Sequence, residues 1–284
     1  MKILVLGATG MLGSALMRIL IENDDLKVFG TVRTDDSKKL FPAEYHEKLI
    51  SGCEVTRFDD LVTVFKKVNP DVIINCISLS KELLKTADPL KMIAIYSMLP
   101  HQLSSLCKDF GARMIQISTD GVFTGKKGDY TEDDASDAQD IYGSAKFLGE
   151  VHESHVITIR TSIIGHELQS KNGLVEWFLS QKGQCICFSQ SIFSGFPTVV
   201  LAQIIRDVVI PNAHLFGIYH ISSNPISKCD LLLLISRVYG KEIKLIADDK
   251  IQIDRSLSSK RFRTATGYVP PDWHSLVKSM YLYR

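Results

Sequence analysis

Short apolar runs alternate with helical stretches over the first part of the chain, an order that predicts parallel strands joined by crossover helices. Ile3 to Leu6 reads as a first strand. It runs into a glycine-rich turn, Gly7-Ala8-Thr9-Gly10-Met11-Leu12-Gly13, which opens an apolar-periodic helix around Leu16 to Ile21. Lys27 to Val32 predicts the second strand, Cys53 to Phe58 the third, and Leu61 to Val68 a helix stopped by Asn69-Pro70. Val72 to Cys76 follows as the fourth strand. A long helical stretch, Ile93 to Phe110, ends at Gly111, and Met114 to Ile117 is a strand leading directly into Ser118-Thr119-Asp120. A polar, acidic loop from Gly125 to Gln139 precedes a helix carrying Tyr142 and Lys146, and Val156 to Arg160 is another strand. Six strands in this order predict an α/β chain with a doubly wound parallel sheet of the Rossmann type.

Beyond Arg160 the alternation weakens. Gly165 to Gly173 reads as a loop, Leu174 to Gln181 as a helix, and Phe196-Pro197-Thr198 introduces an apolar helix from Val200 to Ile210. Gly217 to Ile221 looks like a returning strand, and Lys228 to Tyr239 is helical. The expected division is a nucleotide-binding domain over residues 1–164, with 196–222 returning to it, and a smaller C-terminal α/β domain from 165–195 and 223–284 that would hold substrate. No internal repeat or low-complexity segment interrupts this pattern.

With 284 residues, 45% hydrophobic and 23% charged, the chain can bury one large core and a smaller annex. The formal net charge is +1 with both signs dispersed, which argues against an extended nucleic-acid footprint or a polybasic membrane surface. No apolar run approaches the roughly 18 residues of a membrane span, so a cytoplasmic location is expected. The six cysteines (Cys53, Cys76, Cys107, Cys185, Cys187, Cys229) lack metal-clamp spacing and read as reduced, mostly buried thiols. His101, His152 and His155 show no ligand-like arrangement, and no metal is expected.

The glycine turn follows a strand and opens a helix, where backbone N–H groups can cradle a pyrophosphate. At the end of the second strand the chain reads Thr31-Val32-Arg33-Thr34, not a carboxylate, and Arg33 suits a 2′-phosphate. NADPH is therefore the expected cofactor, with NADH left open by Asp35 and Asp36. Asp59, just past the third strand, would accept from an adenine amino group or cap a helix. Tyr142 and Lys146 stand four positions apart on one helix face, so the ammonium can lower the phenol's pKa and the phenol can pass a proton to a carbonyl oxygen.

Taken in order, Gly7 to Gly13, Ile117-Ser118-Thr119-Asp120-Gly121-Val122-Phe123, Tyr142-Gly143-Ser144-Ala145-Lys146-Phe147-Leu148-Gly149-Glu150, Arg160-Thr161-Ser162, Phe196-Pro197-Thr198 and Gly217-Ile218-Tyr219-His220-Ile221-Ser222 resemble the extended short-chain dehydrogenase/reductases. Within them the chain is most similar to the dTDP-4-dehydrorhamnose reductase group, over nearly its whole length. The resemblance implies that Thr119 hydrogen-bonds the substrate carbonyl, Tyr142 donates the proton, and Lys146 binds the nicotinamide ribose. It implies cofactor contacts at Gly7, Thr9, Gly10, Met11, Leu12, Arg33, Asp59, Cys76 and Ser118, besides Tyr142 and Lys146. It places substrate at Thr119, Asp120, Asn172, Phe196, Thr198 and Arg255, although Phe178 and Phe196 also suit a core and Arg255 a surface.

The chain departs from that pattern in three places. Gly121 stands where the rhamnose enzymes typically have tyrosine, Ile163 replaces an aromatic after Arg-Thr-Ser, and Tyr96, beside Ser97, replaces a helix asparagine that helps position the lysine through water. The related 4,6-dehydratases are similar to one another in following Thr-Asp with a glutamate, absent here. The expectation is NADPH-dependent reduction of the 4-keto group of a nucleoside-diphosphate deoxysugar in surface-polysaccharide biosynthesis. The alternatives are a nucleotide-sugar epimerase or a noncatalytic NADP-binding regulatory subunit. Residue types leave the oligomeric state, a homodimer included, unread.

Overall fold

Strict alternation along the first strand fixes which layer each residue serves, because successive side chains point to opposite faces of a sheet. In β1, Lys2–Leu6, Ile3 and Val5 join one hydrophobic core while Leu4 and Leu6 join another. Both faces of the sheet are therefore covered, which is why its strands read as nearly continuous apolar runs. The computed structural model describes residues 1–79, 88–169 and 171–284.

The central sheet has seven strands, all parallel. Besides β1 they are β2 (Lys27–Thr31), β3 (Leu49–Ile50), β4 (Val72–Asn75), β5 (Arg113–Ile117), β6 (Val156–Arg160) and β7 (Gly217–His220). The spatial order is β7-β6-β5-β4-β1-β2-β3, counting β7 as the returning strand. The order reverses between β1 and β4, and ligands of open α/β sheets bind at the carboxyl ends of the strands beside such a reversal. The helices Met11–Ile21 and Thr198–Ile204 cover one face, and Phe58–Val68 and Leu99–Phe110 cover the other.

A separate hydrophobic cluster forms around Val175, Phe178, Cys185, Cys187, Leu231, Leu232, Ile235, Val277 and Met280. It joins the helices Leu174–Ser180, Lys228–Tyr239 and Trp273–Leu282 to a parallel pair, Gln184–Phe188 with Lys244–Asp248. A second small sheet, with Ser191–Phe193 at its centre, lies between Ile226–Ser227 and Ile253–Asp254.

Three sequence expectations are corrected. The third strand is Leu49–Ile50, not Cys53 to Phe58. Gly52 turns the chain in the left-handed region at φ 81°, and the Glu54 N–H donates to the Asp60 carboxylate, so the following segment becomes a helix entry. The long helix is not regular: Pro89–Ile93 passes through a π-helical turn, Ala94–Met98, before Leu99–Phe110 resumes the α geometry. Cys187 and Cys229 form a disulfide that ties a strand of the smaller core to the Lys228–Tyr239 helix, while Cys53, Cys76, Cys107 and Cys185 are free. Forty-two positions separate the bonded pair, and nothing in local spacing announces it. Among the described residues no helix is long and apolar enough to cross a membrane.

Candidate active site

The glycine turn after β1 is built for close backbone approach. Gly7 sits at φ 81°, and a Cβ there would come within 3.2 Å of the Cys76 carbonyl oxygen. A Cβ on Gly13 would lie 2.1 Å from the Gly7 carbonyl oxygen. The Gly7 N–H donates to the Thr31 hydroxyl at 3.2 Å, which anchors the turn to β2. No side chain caps Gly10 at the start of the Met11–Ile21 helix, so the first N–H groups keep their capacity for an anion. Thr9 and Met11 are half-buried, whereas the Leu12 side chain lies in the core and can offer a ligand only its backbone.

Arg33 is exposed just past β2, and no hydrogen bond or ion pair holds its guanidinium among the described residues. The acidic neighbours are engaged elsewhere. Asp35 pairs with Lys38 at 2.8 Å and accepts from Ser51, and Asp36 pairs with Lys39. The residues present thus fit an NADP-type dinucleotide: a backbone cradle for the pyrophosphate and a cation beyond β2. Asp59 is exposed in the first turn of Phe58–Val68, one residue after the helix begins, and does not cap it.

At the carboxyl end of β5 the chain brings Thr119 against Tyr142. The Thr119 hydroxyl is the polar partner of the phenol, and the Gly121 N–H donates to Thr119 Oγ1 at 3.0 Å. A Cβ at Gly121 would press on Thr119 Oγ1 at 3.2 Å and on Tyr142 Cε1 at 3.3 Å, so the bare backbone lets the two approach. Asp140 caps the Ile141–Leu148 helix by accepting from the Gly143 N–H, which fixes where that helix begins. Lys146, one turn on, is buried and donates to the Ile117 carbonyl at 2.6 Å.

Electrostatics at this pair differ from the sequence expectation. Burial pushes the Tyr142 phenol above its ordinary value, and the Thr119 hydroxyl offsets this only in part; Lys146 is not among the groups that shift it. The lysine itself is pulled down to about 8 by burial, with Glu150 and Cys76 opposing. The phenol therefore holds its proton, as a proton donor must, and the lysine, although its pKa is lowered, still carries its charge at neutral pH.

Beneath the site lies a charged network. Glu150 accepts from Ser118 Oγ at 2.7 Å and from Arg160 through Nε at 2.8 Å and Nη2 at 2.7 Å. Arg160 also reaches His220, which burial and the guanidinium hold neutral by lowering its pKa to about 3. Every member is buried, and the bidentate geometry satisfies both charges. Ser118 therefore faces inward to this network.

Toward the smaller core, a cavity of about 320 Å³ is lined by Ser162, Ile163, Ile164, Asn172, Leu174, Trp177, Phe193 and Lys228. Asp120 borders this region: its carboxyl, raised by burial, is held back by the charges of Arg255 and Lys228 and by Ser162. Arg255 carries a buried Nε without a hydrogen-bond partner. Of the predicted substrate residues, Asn172 lines the cavity; Thr119, Asp120 and Arg255 stand beside one another. Phe196 is fully buried in the main core against Tyr268, and Thr198 is buried under Gly165. Trp177 and Lys228 were missed by the sequence reading. Trp177 carried no motif, although its exposure on an otherwise core-packed helix is the trace it leaves.

Comparison with known proteins places this geometry. The RmlD substrate binding domain family matches residues 1–282. The chain belongs to that family. A dTDP-4-dehydrorhamnose reductase from Aggregatibacter actinomycetemcomitans is 24% identical over 314 residues, covering 99% of each chain. Methionine adenosyltransferase 2 subunit beta from Danio rerio is 26% identical over 236 residues, covering 78% of this chain and 68% of that protein. The crystal structure of dTDP-4-dehydrorhamnose reductase from Bacillus anthracis in complex with NADP superposes with a TM-score of 0.81, at 19% identity and 99% coverage of both chains.

Against the RmlD family pattern the three departures acquire surroundings. Gly121 closes the Thr119–Tyr142 approach, Ile163 lines the cavity beside Asn172, and Tyr96 packs edge-on against Tyr142 with ring centroids 5.3 Å apart. The first removes bulk next to the Thr119 hydroxyl and the Tyr142 ring. The second leaves an aliphatic wall where an aromatic would stack.

Proposed function

We propose that this chain is an NADPH-dependent reductase of the 4-keto group of a nucleoside-diphosphate deoxysugar, acting in the cytoplasm in surface-polysaccharide biosynthesis. One observation carries the reading: Thr119 and the protonated Tyr142 share a buried corner with Lys146 at the carboxyl end of β5, on the sheet whose first turn is a backbone anion cradle. Residues 1–164 with 196–222 would bind the cofactor, and 165–195 with 223–284 the sugar nucleotide. NADPH, held by the Gly7–Gly13 turn and Arg33, would supply the hydride.

The chain's own residues do the rest. Thr119 and Tyr142 would both hydrogen-bond the ketone oxygen, so the charge that develops there as the carbon is reduced meets two donors. Tyr142 then gives its proton to that oxygen, and the product is an alcohol. Lys146 keeps a positive charge beside the resulting phenolate until solvent restores the proton. Gly121 in place of the dehydratases' glutamate leaves no second base beside the Thr-Asp pair, which favours simple reduction over elimination. Arg33, suited to NADP, weighs against an epimerase that retains NAD.

Incubation with NADPH and dTDP-, UDP- and GDP-linked 4-keto sugars is the direct test. Cofactor oxidation with at least one of them is expected, and Tyr142→Phe should lower kcat by roughly a hundredfold or more. Absence of oxidation across the panel removes the reading. A second reading, a noncatalytic NADP-binding subunit serving a partner enzyme, draws support from the similarity to a protein named as a subunit and from Tyr96 at an altered position. The intact Thr119, Tyr142 and Lys146 speak for catalysis. Capture of a partner by a chain that binds NADPH but oxidises none of it would decide for the subunit.

A further inference from the structure

We propose that Tyr96 is the positioning residue for Lys146 and Tyr142, its ring face carrying the lysine ammonium and its ring packing at a right angle on that of the catalytic phenol. The inference rests on the reductase reading and gives a task to the residue that replaces the family's asparagine. Lys146 Nζ stands 5.4 Å from the Tyr96 ring centroid, within the range over which an ammonium is attracted to an aromatic face. The Tyr142 ring meets the same ring at 90°. Tyr96 is buried, so both contacts form away from water, where such an attraction is strongest.

The ring is held at its hydroxyl, and the backbone that carries it is held against the catalytic helix. Its hydroxyl accepts from the Leu79 N–H at 2.8 Å and shares a hydrogen bond with Ser78 Oγ at 3.1 Å. Next along the chain, Ser97 Oγ donates to the Ala145 carbonyl at 2.9 Å, clamping the π-helical turn to the catalytic helix immediately before Lys146. At the far end of that helix a Cβ on Gly149 would collide with the Tyr96 carbonyl oxygen, so only a glycine allows this approach.

A hydroxyl committed to Leu79 and Ser78 is not offered to Lys146, so the aromatic face takes over what a polar side chain and water would do in the family pattern. The other groups facing the ammonium are the Ile117 carbonyl, Glu150 and Cys76. Burial already draws this lysine toward neutrality, and the ring face counteracts that by favouring the charged form.

The test replaces the ring's charge distribution and keeps its shape. Tyr96→Phe is compared with ring-trifluorinated phenylalanine introduced at position 96, and Lys146 is followed by NMR on protein carrying carbon-13 at the lysine Cε, its resonance assigned by its loss in Lys146→Met. Removing the negative ring face should lower the titration midpoint of Lys146 by about one pH unit, roughly tenfold in its proton affinity, relative to Tyr96→Phe. The limb of the kcat–pH profile set by the lysine should move in the same direction with dTDP-4-dehydrorhamnose as the probe. Equal midpoints in the two proteins overturn the proposal. A wild-type chain that oxidises no NADPH with any 4-keto sugar nucleotide removes the reductase reading instead, and the lysine titration still decides whether the ring holds the ammonium.

Discussion

The two sides of the site are made of different material. The side proposed for the nucleotide is mostly backbone: glycines that admit close approach, an uncapped helix start, and one exposed arginine beyond β2. The side proposed for the sugar is side chain: Asn172, Trp177, Lys228 and Asp120, gathered from a loop, two helices and a strand end. A backbone cradle tolerates almost no change at its few glycines and leaves the rest of its sequence free. A side-chain cavity tolerates change everywhere, one substitution at a time, and so can be retuned for a different sugar without disturbing the fold.

The largest effect should come from breaking the first material. Gly13→Ala drives a methyl into the Gly7 carbonyl, and every atom it meets there is backbone that cannot step aside. NADPH affinity, read by the quenching or enhancement of its fluorescence on titration, should fall by roughly a hundredfold, about 3 kcal/mol. Circular dichroism should keep the wild-type helix signal. Binding at wild-type strength would mean that the turn is not set by this approach.

A smaller effect is expected at the edge of the cradle. Arg33→Ala removes the guanidinium offered to a 2′-phosphate, so the KM for NADPH should rise about tenfold while that for NADH stays put. The comparison between the two cofactors is the point of the measurement. An equal loss for both would assign Arg33 to general electrostatics, and no loss for either would leave the preference with other residues.

The same contrast explains what the sequence could reveal. Gly7, Gly10 and Gly13 follow a strand and precede a helix, and Tyr142 and Lys146 share a helix face; both signals are local, so the doubly wound sheet and the placing of Tyr142 and Lys146 on one helix could be read in advance. Leu49–Ile50 could not, because a two-residue edge strand has too short a pattern to outweigh the longer, partly alternating stretch at Cys53 to Phe58. The π turn at Ala94–Met98 sits inside a continuous helical periodicity, and its one mark is Pro100, which lacks the N–H that the Tyr96 carbonyl would accept from in a regular helix. The phenol's upward shift was missed for another reason: spacing shows that Lys146 and Tyr142 share a face, but burial, which dominates both, is a property of everything packed around them. Trp177 and Lys228 meet Asp120 and Ser162 only through the tertiary fold, across the boundary between the two cores.

Lys228 offers the gentlest test of the side-chain half. It is the first residue of the Lys228–Tyr239 helix, lines the cavity, and its charge helps restrain the buried Asp120 carboxyl from rising further. Lys228→Met keeps the length and apolar stem of the side chain and removes the charge. If the cavity receives the sugar nucleotide, the KM for a 4-keto substrate should rise about fivefold with kcat nearly constant, the pattern of a contact made equally in the ground and transition states. Asp120 should at the same time become harder to ionise, because a positive neighbour favouring its charged form is gone. Substrate binding that weakens as pH is lowered should then begin to weaken at a higher pH than in the wild type. A variant that instead loses kcat at constant KM would move Lys228 from the binding wall to the reacting centre, and one unchanged in both would place the sugar elsewhere than beside Trp177.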